Sequence, residues 1–470
     1  MPQMTTRLKA DKGWKMRRFN RKIFTGLFLL LLTVPVFADY NSLGIPDSSE
    51  IRKGLKERWF EASLDDVRMN LPEIYDNAAG EKFQVRLEES DTTYMILVAP
   101  CATINVKVYS NKGVSYEQQE IYPGEAPGSW VLVRDKKTDA PIRIRWYFSV
   151  DSDVYIQFTP YGKTAVADLL IYGNYASKGA STGVPFSQLY DISFADIQKM
   201  TSISLPWKYV TVDGDKFGSV LQMVGVIQKN LGRVMFVPNA MYNENGELVQ
   251  ITNGKPFDTE NQDSSKLYLS SAGFVKWIAD GLVEPIAGSK LKREPLIVET
   301  VSVKENGYQG VLSQKYNLFF ALDWIRNLGA AVVSVNNGKV YMYNESGTDV
   351  TINPFAATIS GAGTLNTVTF IEDTGYNIGV LKSLLYVLAA TESGNFYFGA
   401  IRETDKTVTP EIKVFNDNVV FFPYFSSNGS FGCFVFMNGK QISLDDFCMI
   451  YADTYVYLTR ARASNNFYPE

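Results

Sequence analysis

The stretch LYLSSAGFVKWIADGL, residues 267–282, sets Phe274, Val275, Ile278 and Leu282 at helical spacing on one face. Ser270 or Ser271 stands where an N-cap belongs, and Gly273 allows close approach to whatever the helix packs against. The spacing predicts a helix over 271–282. Further helices are expected over 193–201, 215–231, 315–328, 378–390 and 444–451. Between them lie strand candidates RVMFVPNAMY, GELVQIT, AAVVSV, KVYMYN, NTVTFIE, NFYFGAIRE, NVVFFPYF, GCFVFMNG and YVYLTRARA. Helices gathered early and strands late predict an α+β domain over 186–470 with a mainly antiparallel sheet.

Upstream the pattern is different. From Glu81 to Tyr172 short apolar-alternating runs (KFQVRLEE, YMILVAP, TINVKVYS, SWVLVRD, IRIRWYFSV, VYIQFTPYG, ADLLIYG) are punctuated by Gly, Pro, Asp and Asn. Regular short strands with turn signals predict an all-β sandwich, jelly-roll-like, over 55–173. Residues 174–185, NYASKGASTGVP, are small and polar and read as an interdomain linker.

The first 38 residues carry an export pattern. Lys15, Arg17, Arg18, Arg21 and Lys22 form a basic segment, Ile23–Thr33 an apolar one, and Val36-Phe37-Ala38 a small-residue cleavage site. Cleavage after Ala38 is expected, leaving no integral membrane span and placing the mature chain in the periplasm, at the cell surface or outside the cell. Removing residues 1–38 takes away eight Lys/Arg and one Asp, moving the net charge from −4 to near −11. That sign argues against nucleic-acid binding, which depends on cationic side chains neutralising phosphates.

Of the 470 residues none is histidine, and three are cysteine. The usual general base and commonest metal ligand is therefore absent, which excludes Ser-His-Asp and Cys-His catalysis and His-containing zinc sites. No cofactor is expected. The acidic loops Asp151-Ser152-Asp153 and Asp213-Gly214-Asp215 have oxygen ligands for calcium but not the spacing of an EF-hand, and turn chemistry accounts for them equally. Cys433 and Cys448 are the pair placed to form a disulfide; three buried free thiols are the alternative.

Ser270-Ser271-Ala272-Gly273-Phe274-Val275-Lys276-Trp277 resembles the nucleophile motif of the NlpC/P60 group of papain-like cell-wall peptidases, which carries Asp-Cys-Ser-Gly-Phe-Val at a helix start. A thiolate there is stabilised by the helix dipole and free backbone N–H groups. The match covers Gly273, Phe274 and Val275 and puts Ser271 where the family has cysteine. The family's histidine lies on a later strand, and the resemblance implies Asn416, Asp417 or Asn418 at that place, with insertions in between. It implies a degenerate papain-like member, a pseudoenzyme whose cleft around Ser271, Lys276, Trp277 and Asn418 holds peptidoglycan or another envelope glycan or protein without cleaving it. A plain amphipathic helix fits the same residues. Two other functions stay open: a cell-wall hydrolase or amidase working without histidine, and a structural envelope protein. For the hydrolase, Lys276 sits off the helix face of Ser271, and the adjacent carboxylates Asp445-Asp446, Glu88-Glu89 and Glu372-Asp373 point apart.

Overall fold

The computed structural model describes residues 44–110, 113–257, 263–301, 318–359 and 363–469. The expected signal peptide, 1–38, lies outside the described residues. Residues 41–470 form one compact unit.

Its first part is antiparallel. After α1 (Ser49–Leu55) and α2 (Leu64–Arg68), the chain forms β1 (Glu73–Asp76), β2 (Lys82–Glu89), β3 (Thr93–Pro100), β4 (Ala102–Ser110) and β5 (Gly113–Ile121). Next come β6 (Trp130–Asp135), β7 (Pro141–Tyr147), β8 (Val154–Tyr161), β9 (Thr164–Ile171) and β10 (Asn174–Ser181). Eight of these strands make one sheet in the order β1-β2-β3-β6-β7-β8-β9-β10, and β4 and β5 pair with each other outside it. The strand-rich antiparallel domain read from alternation is present. The jelly-roll detail is corrected, because the eight strands run up and down in sequence order without Greek-key crossing.

Helical segments cover the sheet's inner face. Phe60 and Tyr190 pack on Trp130, and Phe194 of α3 (Phe194–Met200) sits 5.2 Å from Trp146, ring centre to ring centre. Arg52 of α1 is fully buried among them, between the rings of Trp130 and Trp146 at 5.2 and 4.7 Å. Its guanidinium donates to Ser48 Oγ (3.0 Å) and to the carbonyls of Tyr190 and Ile192 (2.7 Å each). Burial pulls its pKa down to about 10, opposed by Asp47 and Asp191, so the charge is retained at neutral pH.

The expected linker is corrected as well. Residues 174–181 are β10, bulged against β9, with Asp168 Oδ1 accepting from the Gly179 N–H at 2.7 Å. Small residues suit a bulged edge strand as well as a tether. No free tether separates the two halves there. Asn174 donates to Ser383 Oγ (2.7 Å), Asp151 accepts from the Phe431 N–H (2.9 Å), and Tyr172 packs on Tyr386 and Phe431.

The second part is α+β. Its helices are α4 (Gly218–Asn230), α5 (Ser271–Ala287), α6 (Arg293–Leu296), α7 (Phe320–Asn337), α8 (Leu381–Thr391) and α9 (Leu444–Ile450). Short pairs form from β11 (Val234–Phe236) with β14 (Leu267–Leu269), β12 (Ala240–Tyr242) with β13 (Leu248–Gln250), and β15 (Ala356–Ile359) with β16 (Gly363–Asn366). The main sheet contains β17 (Phe370–Ile371), β18 (Gly375–Asn377), β19 (Asn395–Asp405), β20 (Ile412–Phe425), β21 (Phe431–Met437), β22 (Lys440–Ile442) and β23 (Tyr455–Arg462). It is antiparallel, in the order β17-β18-β23-β19-β20-β21-β22.

Two strand expectations fail. AAVVSV continues α7, because a short buried apolar run fits a helix or a strand equally. KVYMYN is irregular: Gly338 ends α7 at φ +62°, and the chain folds back so that the Tyr341 N–H reaches Ser334 Oγ at 2.9 Å. Among the described residues no helix is long and apolar enough to cross a membrane.

Candidate functional site

The opening stretch builds the N-terminus of α5, fed by β14. Ser270 is the N-cap: its Oγ accepts from the Gly273 N–H (3.1 Å) and donates to the Ala240 carbonyl on β12 (3.0 Å). The Ser270 N–H donates to the same carbonyl at 2.9 Å. This fastens the first turn against β12, and there Gly273 is indispensable. A Cβ at Gly273 would lie 2.2 Å from the Ala240 oxygen, a backbone atom with nowhere to go. The carbonyl of Ala272 accepts from Trp324 Nε1 of α7 at 3.0 Å.

Ser271, the first residue of the helix, is 7% exposed, and its hydroxyl draws down the pKa of the Asp417 carboxyl on β20. A β-bulge sets that carboxylate. Ile401 pairs with Asp417 and Arg402 with Phe415, leaving Asn416 unpaired on the bulged strand. Bulges re-aim side chains, and this one separates three consecutive polar residues into three environments. Asn416 is exposed, Asp417 half-buried and Asn418 fully buried.

Two more polar side chains join them. Glu403 of β19 feels the charge of Asp417 and the opposing pull of the Asn416 amide, and Tyr451, after α9, feels both carboxylates. Burial raises the carboxyl of Asp417, while Ser271 lowers it. Burial, then repulsion from Asp417, raises Glu403, which Asn416 counteracts. Burial, then the two acids, pushes the Tyr451 phenol up to about 12. Two carboxyls kept from easy ionisation beside a hydroxyl favour a ligand that brings hydrogen-bond donors or positive charge. Tyr451 also lines a neighbouring groove of about 350 Å³ with Phe236, Met437, Asn438 and Lys440.

Three expected ligand-binding residues are elsewhere. Asn418 turns into the core and donates to the Ala321 carbonyl of α7 at 3.0 Å. Trp277 is 3% exposed and stacks on Phe274 with ring centres 5.7 Å apart, as a packing residue. Lys276 is buried in an ion pair with Asp280. Sequence reasoning assigns these polar and aromatic residues to a cleft because helical spacing does not say which face is covered; α5 is buried on every side from Ser271 to Val283. Glu403 and Tyr451 escape such reasoning, since they lie far from the motif and join it only through strand pairing and a helix end.

Cys433 of β21 and Cys448 of α9 are free thiols, so the expected disulfide is not formed; Cys101, between β3 and β4, is also free. Burial raises both Cys433 and Cys448, the latter to about 11, and Cys433 also feels Cys448. Asp151 and Asp213 spend carboxylate oxygens on the N–H groups of Phe431 and Asp215. Among the described residues no three Cys, Asp or Glu side chains are grouped to hold a metal ion.

Comparison with known proteins returns one result for the first part of the chain. No curated protein and no solved structure matches the sequence. A family model described as a domain of unknown function, DUF8515, matches residues 41–209, which takes in the eight-stranded sheet and also the segment from Phe186 to Trp207 that packs beneath it.

Proposed function

We propose that the chain is an exported envelope protein whose second part is a papain-like, NlpC/P60-related scaffold without its catalytic thiol and imidazole, retained for binding. The observation that carries this reading is the placement of Ser271 at the first turn of a buried helix against Asp417 on the antiparallel sheet. That juxtaposition of helix start and strand is the one the resemblance implies for nucleophile and base. The near-complete burial of Ser271 favours binding over attack on a substrate. In this reading Asp417, Glu403, Asn416 and Tyr451 hold the ligand, with peptidoglycan peptide as the first candidate because its free amino groups suit an acidic site.

The test is co-sedimentation of the mature chain with purified peptidoglycan, alongside muropeptide turnover. Retention that falls roughly tenfold in Asp417→Ala, with no turnover, is the expected result. Absence of retention overturns wall binding. Turnover abolished by Ser271→Ala would instead establish a histidine-independent hydrolase. Mass spectrometry of the exported protein should find Asp39 at the N-terminus.

A further inference from the structure

We propose that the outer edge of β4 is a homodimer interface, in which two copies pair their β4 strands antiparallel about Val106. Strands β4 and β5, nine residues each, pair only with one another among the described residues. None of their residues belongs to the apolar core, and Tyr109, Tyr116, Val114 and Ile104 are 73, 69, 51 and 41% exposed. A two-stranded hairpin is marginal in water by itself, and three or more strands are needed for independent stability. Its β4 edge also lacks the usual protection against pairing: no proline, no acidic residue and a single lysine, Lys107.

The sequence of β4 identifies the occupant. Pairing two copies over their full length puts Val106 on the two-fold axis opposite itself. Ile104 then meets Val108 of the second copy, Asn105 meets Lys107, and Thr103 meets Tyr109. Ile104, Val106 and Val108 find apolar partners on one face, Tyr109 meets a threonine on the other, and the lysine finds an amide. The equivalent pairing of β5 would place Glu117, its central residue, against Glu117, and like charges directly opposite are destabilising. A β4 pairing gives a four-stranded sheet and a closed, isologous dimer; β4 on β5 of the next copy would be head-to-tail and open-ended.

Analytical ultracentrifugation of the full mature chain reads the association, and two variants read its register. Val106→Cys places two thiols across the axis, and a disulfide-linked dimer on non-reducing gels is expected that wild type does not form. Val106→Lys faces Glu117 across the hairpin, which keeps the hairpin paired, while setting two ammonium groups against each other between copies. It should weaken dimerisation by roughly tenfold or more. Val114→Lys on β5 is the control and should leave the dimer intact. A monomeric wild type at all concentrations overturns the proposal, as does a dimer that Val106→Cys fails to cross-link or Val106→Lys leaves unchanged.

Discussion

The ammonium of Lys276 lies 2.6 Å from the carboxylate of Asp280 one helical turn away, and the two side chains are 1% and 4% exposed. The second oxygen of Asp280 accepts from the Leu291 N–H at 2.9 Å, so the pair also ties the end of the following loop to α5. Burial lowers the lysine pKa and raises that of the aspartate, while each partner pulls the other back towards its charged form. Removing one partner leaves an uncompensated buried charge. Lys276→Met should lower stability by about 3 to 5 kcal/mol in urea unfolding. In Lys276→Met with Asp280→Asn, where the amide oxygen still serves Leu291, a good part of that loss should return; additive losses would show that the two residues are not energetically coupled.

Gly273→Ala isolates the close approach of α5 to β12. Alanine is the better helix former, so propensity alone predicts stabilisation by up to about 1 kcal/mol. The added methyl would collide with the Ala240 carbonyl, which already accepts from Ser270. Net destabilisation of about 3 kcal/mol is expected from chemical denaturation, with the sign deciding between propensity and packing.

Asp417→Asn tests the electrostatics of the site. The folded pKa of Asp417 lies above its ordinary value, and that of Glu403 does as well, so the native state holds protons that the unfolded chain has released. Stability from these groups is present at low pH and lost as pH rises from their unfolded values, near 4, through their raised folded values. The amide preserves an acceptor for Ser271 and removes the charge that Glu403 and Tyr451 feel. At pH 7 the melting temperature should rise by roughly 1 to 3 °C, and the gain should vanish near pH 3, where the wild-type carboxyl is protonated.

Asp151 tests the union of the two halves. It is held by the Phe431 N–H and the Ser430 hydroxyl of the second sheet, from a turn of the first. Asp151→Ala strips that turn of its acceptor and should lower stability by about 1 to 3 kcal/mol. Calorimetry should still show one transition for the wild type, as the shared apolar core requires; two separated transitions would mean independent halves.

The periodic elements are legible in the sequence and their partners are not. Helix α5 begins at Ser271 as expected from its cap and apolar spacing, and the alternating runs from Lys82 onward are strands. The misread segments are ambiguous by composition: AAVVSV is as apolar as a strand and as short, and 174–181 is as small as a linker and still pairs through its backbone. At the site, the positions Ser271 and 416–418 are reachable through the motif. Choosing Asp417 over Asn416 and Asn418 needs the bulge, since strand alternation counts pairs and a single extra residue flips every later side chain to the opposite face.

Arg52 has a consequence for the order of events during synthesis. Its carbonyl acceptors, Tyr190 and Ile192, lie 138 and 140 residues further along the chain. At ribosomal speeds that separation is a wait on the order of ten seconds, during which the α1 segment has been made but its guanidinium has no carbonyls to receive it. The first helix among the described residues is therefore seated only after all ten strands of the first part have been made. Any fragment ending before residue 189 would be caught with a cation beneath two tryptophans and only Ser48 and Asp47 to answer it, which makes the 189–192 turn the latch of the N-terminal half.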